Sequence, residues 1–476
     1  MKVVTTVVAP RILICKNFII YDQNHLSIEQ DVLTKAGETI LKKAGLMGKS
    51  DKQAGKVLLS PELARRRFLM SSMGLVGGAA AGLLPGVSAS SNNLPPNVPA
   101  WTRSLGSGVL TNPYGQPSPF ESNVQRRTVD WLTPDRIASI SFTPLADLKG
   151  IITPSGVVFE RYHAGLPVIE PAEHRLMIHG MVDRPLIFTM EDLMKFPSTS
   201  VIRFLECPAN GGMEWRGAQM DGVQFTHGML ACCEWTGVLL STLLSEVGIK
   251  KGANWILAEG ADGSHMSRSI PMNKAMDDAM IVYAQNGEML RPEQGYPLRL
   301  INPGWEGNTC VKWLRRLKVG DKPWHHREET SKYSDLMPDG TSREFSFVQE
   351  CNSVITSPSP EKPWKQKGRY WVEGLAWSGH GKIKHVDVST DGGITWREAR
   401  FTSIVLPKAL TRFGIELEWD GSPLLLQSRA VDETGFVQPT YAQLRKVRGT
   451  NSIYHKNAIH TWQVRPDGGI ANGQLS

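Results

Sequence analysis

Residues 370–377, 384–389, 395–401, 415–419 and 424–432 are short segments in which β-branched, aromatic or aliphatic residues alternate with polar ones. A period of two puts one face of a strand in a core and the other in water. Asp391-Gly392-Gly393 stands between two of these segments and reads as a hairpin turn, because glycine accepts a positive φ. Strands at this spacing over about 130 residues predict an all-β, immunoglobulin-like sandwich. There is no Cys…Trp…Cys pattern, so an antibody-type domain is not expected. A sandwich supplies surface or scaffold, and any chemistry has to come from elsewhere in the chain.

Upstream the signals are mixed. Residues 174–182 alternate as a strand, and Thr189-Met190-Glu191-Asp192-Leu193 reads as a capped short helix ended by Pro197. Residues 236–248 set Leu239, Leu240, Leu243, Leu244 and Val247 on one helical face, closed by a glycine. Strands are expected at 255–259 and 298–302. Strands and short helices in irregular order, without a repeating βα unit, predict an α+β domain rather than a doubly wound sheet. At 476 residues the chain exceeds one ordinary core. The expected organisation is an extension and leader over 1–89, an extended arm rich in Pro, Ser, Asn and Gly over 90–130, an α+β domain over 131–340 and the sandwich over 341–476.

The formal charge of +7 suggests a polyanionic partner, but its distribution argues against one. Residues 1–89 hold 12 Lys/Arg against 6 Asp/Glu, whereas residues 90–476 hold 41 against 40. A near-neutral body gives nucleic-acid binding little electrostatic support. The basic excess belongs to a leader. Arg65-Arg66-Arg67-Phe68-Leu69-Met70 precedes a Gly/Ala/Leu-rich stretch and Val87-Ser88-Ala89, a small-x-small cleavage site. Paired arginines before x-Phe-Leu resemble the twin-arginine signal, which exports folded proteins to the periplasm. The apolar stretch is too short and glycine-rich to span a bilayer, and no other segment is long enough. Residues 1–46 are expected to precede the true translation start, at Met47. Cleavage after Ala89 leaves five cysteines, an odd number without a Cys-x-x-Cys pair, which argues against a disulfide framework and a zinc site.

One of those cysteines is unusually placed. In Arg203-Phe204-Leu205-Glu206-Cys207-Pro208-Ala209-Asn210-Gly211-Gly212 an apolar run delivers Cys207 into a loop of small, turn-forming residues. That position suits either a core thiol at a strand end or a functional thiol beside a ligand. Cys232, Cys233, Cys310 and Cys351 read as structural thiols, and His227 as a structural histidine. Four further clusters carry what a large anionic ligand needs: Arg161-Tyr162-His163, Asp262 within Glu259-Gly260-Ala261-Asp262-Gly263-Ser264, Gln294 to Arg299, and Lys312-Trp313-Leu314-Arg315-Arg316. Glycines let backbone N–H groups approach a phosphate, and Arg and Lys neutralise it. Each cluster alone is a weak signal.

In this order the clusters resemble the molybdenum-cofactor domain of the sulfite oxidase family. The likeness runs through residues 159–167, the Cys207 loop, 259–278, 297–303 and Val311-Lys312-Trp313-Leu314, and reaches Val388-Ser389-Thr390-Asp391-Gly392-Gly393 in the sandwich. Arg161-Tyr162-His163-Ala164-Gly165, Cys233-Glu234-Trp235-Thr236-Gly237-Val238, Arg327-Glu328-Glu329-Thr330-Ser331-Lys332-Tyr333 and Asp432-Glu433-Thr434-Gly435 resemble, more narrowly, the molybdenum subunits of periplasmic sulfane dehydrogenases of thiosulfate oxidation.

The resemblance implies roles. Cys207 would ligate molybdenum, while Arg161 and Tyr333 would line the substrate side. Arg161, Tyr162, His163, Cys207, Asp262, Gln294, Arg299, Cys310, Val311 and Lys312 would contact the pyranopterin cofactor. The family usually has histidine where Gln294 stands, and Pro208 is a departure in the cysteine loop. Sulfite oxidases carry arginines at the positions of Gly211 and Gly212, so their absence would weaken a free-sulfite site and leave room for sulfur presented on a carrier-protein thiol. The implied reaction is two-electron oxidation of substrate sulfur, with electrons leaving singly to a c-type cytochrome. No Cys-x-x-Cys-His haem site is present, so the haem belongs to a partner, implied to be a dihaem subunit of an α2β2 assembly that dimerises through the sandwich. Competing readings are a free-sulfite:cytochrome c oxidoreductase, a methionine sulfoxide reductase, which would lack the sandwich, and a non-catalytic exported binding protein.

Overall fold

The computed structural model describes residues 109–133 and 135–474, so the expected leader and translation start lie outside the described residues. In chain order the first half contains β1 (Arg175–Gly180), β2 (Leu186–Thr189), α1 (Met190–Lys195), β3 (Thr199–Glu206), α2 (Val223–His227), β4 (Leu230–Leu239) and α3 (Leu240–Val247). It continues through β5 (Trp255–Gly260), β6 (Ser267–Pro271), α4 (Met272–Asp277), β7 (Met280–Gln285), β8 (Glu288–Met289), β9 (Arg299–Ile301) and β10 (Leu314–Gly320). One sheet has the order β2-β1-β10-β5-β6, with only β1 and β10 parallel; the other runs β3-β4-β7-β8, with β9 also on β7.

Local chemistry explains most boundaries. Thr189 caps α1 through a reciprocal box, its hydroxyl accepting from Asp192 N at 3.0 Å while Asp192 Oδ2 accepts from Thr189 N at 3.0 Å. The helix expected over 236–248 begins later than its apolar pattern suggests, because Thr236 to Leu239 stay in β4 and pair with β7. A Cβ at Gly237 would collide with the Ile281 carbonyl, so glycine there permits the bulged pairing. Leu240, Leu243, Leu244 and Val247 then bury the inner face of α3 in one core with Leu176, Ile178 and Leu317.

The second half adds a hairpin, β11 (Asp335–Leu336) with β12 (Ser342–Arg343), and then the strand-rich region. Its strands are β13 (Asn352–Ser357), β14 (Gly368–Trp377), β15 (Ile383–Ser389), β16 (Arg397–Phe401), β17 (Thr411–Trp419), β18 (Leu424–Asp432), β19 (Thr461–Val464) and β20 (Ile470–Asn472), with α5 (Tyr441–Arg448) before β19. All pairs are antiparallel, in the order β13-β14-β17-β16-β15-β18-β19-β20. The expected two-layer arrangement is realised as one curled sheet, since β16 pairs with β15 through Arg397 and Ala399 and with β17 through Arg400 and Phe401. The expected turn is present, with Gly392 and Gly393 at φ 73° and 92°.

The core of this sheet, with Trp377, Phe413 and Trp462, also takes in Phe204, Val223, Leu230 and Cys232 from the first half. Phe204 N donates to Lys408 O at 2.9 Å, so the strand leading to Cys207 is anchored on both sides. The described cysteines are all free and buried, and the adjacent Cys232 and Cys233 enter different cores, as alternation along β4 requires.

Candidate active site

Cys207 is the first residue beyond β3, and its loop is held from three directions. Cys207 N donates to Met229 O at 3.0 Å, and Asn210 N returns to Cys207 O at 2.9 Å. The Asn210 side chain accepts from Met229 N at 3.1 Å and donates to Glu206 Oε1 at 2.9 Å, while Trp377 Nε1 donates to Glu206 Oε2 at 2.8 Å. Pro208 keeps its carbonyl in use, accepting from His455 N at 2.8 Å. Burial pushes the Cys207 thiol up to about 11. The protein alone therefore keeps it protonated, and ionisation needs a bound cation such as a metal.

Cys207 opens into a cavity with about 650 Å³ of empty space. Of the residues expected at the site, Arg161, His163, Cys207, Asp262, Gln294, Arg299, Cys310, Val311, Lys312 and Tyr333 all line it. Tyr162 lies outside the lining, its hydroxyl donating to Glu160 Oε1 at 3.0 Å and its ring 4.5 Å from Lys312 Nζ. His227 is buried away from the cavity, with Nδ1 2.9 Å from Thr226 Oγ1, which matches its structural reading.

The electrostatics are those of an anion site. Three cations, Arg161, Arg299 and Lys312, face one lining carboxylate, Asp262. Lys312 donates to Arg161 O at 3.0 Å and Glu293 O at 3.1 Å, so its bonds go to neutral carbonyls, and burial followed by the Arg299 charge holds its pKa well below the usual lysine range. Burial likewise pulls Arg299 down to about 10; it donates to Cys310 O at 3.2 Å and to Gln294 O and Oε1 at 3.1 Å each. Gln294 also donates to Phe159 O at 3.1 Å, so both ends of its amide are engaged and it holds Arg299 rather than an anion. Buried positive charge in this excess is costly until an anion enters. A phosphate-bearing cofactor with a metal that accepts one protein thiolate fits these residues: Arg299 and Lys312 would meet the phosphate charge, and Cys207 would meet the metal.

In the same lining as Cys207, Tyr333 Oη lies 3.2 Å from His163 Nε2. Burial, then Arg161 and Arg327, lowers His163 to about 4, so its imidazole is neutral at physiological pH, and burial raises Tyr333, which keeps its phenol protonated. Tyr333 and Trp313 adopt left-handed backbone at φ 54° and 52°, a strain that clusters at functional sites.

Gly211 and Gly212 do not line the cavity. A Cβ on Gly212 would stand 2.5 Å from the Ile453 carbonyl, and one on Gly211 3.6 Å from Lys456 Cβ. The space beside these glycines is filled by residues 453–456 rather than open to a bulkier substrate, and at Gly212 it is a backbone that approaches. Sequence reasoning also missed a buried cluster behind the cavity. Arg268 pairs with Glu306 at 3.2 Å and Glu329 at 3.3 Å, and His455 reaches Glu306 at 2.6 Å from beyond the strand-rich region's β18. No local signal marked it, because Arg268 lies in a polar-looking strand, Ser267–Pro271, whose burial comes only from the fold.

Residues 163–328 match the oxidoreductase molybdopterin binding domain, and residues 344–462 the Mo-co oxidoreductase dimerisation domain. The sulfane dehydrogenase SoxCD of Paracoccus pantotrophus is 54% identical, with a TM-score of 0.79 over 80% of this chain and 98% of that one. Gallus gallus sulfite oxidase is 30% identical over 66% of this chain and 74% of its own length. The NADH nitrate reductase of Ulva prolifera is 34% identical over 68% of this chain, which spans only 42% of that enzyme. With both domain models matched in this order and relatives at substantial identity, the chain belongs to the sulfite oxidase family of molybdopterin oxidoreductases.

Proposed function

We propose that this protein is a molybdenum-dependent oxidoreductase that oxidises sulfane sulfur held on the thiol of a carrier protein and passes electrons singly to a c-type cytochrome subunit. The observation that carries the reading is the convergence of Cys207, Arg161, Arg299 and Lys312 on one cavity, in a chain 54% identical to a sulfane dehydrogenase. When bound, the molybdenum–pyranopterin group supplies the two-electron redox chemistry. Arg299, Lys312 and Asp262 hold its pterin and phosphate, and Cys207 provides the thiolate.

The chain's own groups bind and orient the substrate. Arg161 presents a guanidinium to a sulfur oxyanion, and Tyr333 a phenol that remains protonated. Each oxygen added to sulfur from water releases protons as well as electrons. The 3.2 Å contact between Tyr333 Oη and neutral His163 Nε2 can hold and relay one of them. The same reading assigns residues 1–89 to an N-terminal extension and a twin-arginine leader for folded export to the periplasm, 90–130 to an arm, 131–340 to the cofactor domain and 341–476 to dimerisation. Among the described residues no helix is long and apolar enough to cross a membrane.

Cys207→Ser tests the site. It should abolish cytochrome c reduction by carrier-bound sulfane sulfur and leave folding and pterin content largely intact; substantial remaining turnover would sink the assignment. With the unaltered protein, rapid turnover of free sulfite and none of the carrier-bound sulfur would favour a sulfite:cytochrome c oxidoreductase instead.

A further inference from the structure

Asn308 sits in the single turn Gly307–Thr309, pressed against the cysteine loop: a Cβ on Gly307 would lie 2.8 Å from Glu206 O and 3.5 Å from Cys207 Cα. Asn308 lines the cavity, and its side-chain oxygen accepts from Arg268 Nη1 at 2.8 Å. A guanidinium has donors only, so the amide atom facing it must be oxygen, and the NH2 group is turned the other way. That nitrogen is buried and has no hydrogen-bond partner. A buried donor left unpaired is costly, so this one is built to meet an acceptor.

Arg268 is fixed for the task. It is 1% exposed on β6, with Glu306 and Glu329 within ion-pair distance and its guanidinium carbon 5.4 Å from the centroid of the Tyr333 ring. Two carboxylates neutralise it, so it cannot serve as an anion anchor itself. It ties Asn308 to Tyr333, and no hydrogen bond or ion pair joins it to Gln294, Arg299 or Lys312 at the phosphate end.

We propose that Asn308 Nδ2 is a substrate-side donor, beside Arg161 and Tyr333, that binds an oxygen of the sulfur oxyanion, and that Arg268 is the positioning residue that aims it. The inference rests on the sulfur-oxidising reading above. A neutral donor suits a substrate that gains oxygen atoms as it is oxidised, because it adds a hydrogen bond without adding a fixed charge to the cavity.

The test is direct binding of inorganic sulfate to the full-length, cofactor-loaded protein by calorimetry, with molybdenum and released pterin quantified in each sample. Asn308→Ala should keep molybdenum and pterin at the unaltered level and raise the sulfate Kd about tenfold, the loss expected for one hydrogen bond to a charged group. Asn308→Asp, which turns a carboxylate toward the anion, should raise it further. Arg268→Lys should weaken sulfate binding in the parent but have no added effect in Asn308→Ala, a coupling that a general packing defect would not produce. An unchanged Kd in Asn308→Ala, loss of pterin from it, or no measurable sulfate binding by the unaltered protein would each overturn the proposal. Normal sulfate binding without turnover of any sulfur substrate would instead defeat the functional reading and leave the anion site standing.

Discussion

Alanine at Gly212 adds one methyl group where the structure has no space. The new Cβ would stand 2.5 Å from the Ile453 carbonyl oxygen, so that oxygen has to retreat by about 0.5–1 Å to reach ordinary contact. The backbone of Gly212 is not left-handed, so the penalty is steric rather than conformational. Overpacking of this kind costs about 1–3 kcal/mol, offset by up to about 1 kcal/mol from the stiffer unfolded chain. The net expectation is a loss of about 1–2 kcal/mol, read as a fall of a few degrees in Tm or a lower urea midpoint with an unchanged slope. Residues 453–456 also carry Tyr454, whose ring is 5.2 Å from that of Tyr333, and His455, which holds Glu306. Sulfur-dependent cytochrome reduction should therefore fall together with stability. Gly212→Arg, which restores the residue of sulfite oxidases, should be worse on both counts instead of improving sulfite affinity. Stability of Gly212→Ala within about 0.5 kcal/mol of the parent would refute the close-approach argument and return the glycine to a substrate-room role.

Two further expectations concern buried charge. Lys312→Met removes a cation that burial holds well below its ordinary pKa, so the cofactor-free variant should melt at or above the cofactor-free parent, while pterin retention is lost; a variant that still retains pterin would remove Lys312 from the phosphate site. His227 is pushed down to about 3 by burial and then by Lys456, and His460 is also lowered. The folded state therefore keeps His227 neutral while the unfolded chain takes up a proton below about pH 6.5, so stability is full above that pH and falls as pH drops toward 3. His227→Gln should flatten the Tm-against-pH curve between about pH 6.5 and 4, and an identical slope would mean that other groups set the acid limit.

Local elements were legible in the residues, and the site in their resemblance to a known family. Alternation located the strands of the C-terminal region, the box at Thr189 and Asp192 started a helix, and the order of Arg161, Cys207, Asp262, Arg299 and Lys312 carried the site. The strands and the helix start are legible because periodicity and capping act within a few residues, whereas the site was legible only through the family resemblance of clusters that are weak one by one. Features that depend on distant partners emerged only on folding. Pairing with β7 kept Thr236 to Leu239 in a strand against their helical pattern, and β16 merged the expected layers into one curled sheet. Gly212 looked like an opening for substrate and proved to be the point where the 453 backbone arrives. Arg268, Glu306, Asn308 and His455 are separated by up to 187 positions and meet only in the fold, where burial makes each charge depend on its partner and leaves the Asn308 amide nitrogen without one.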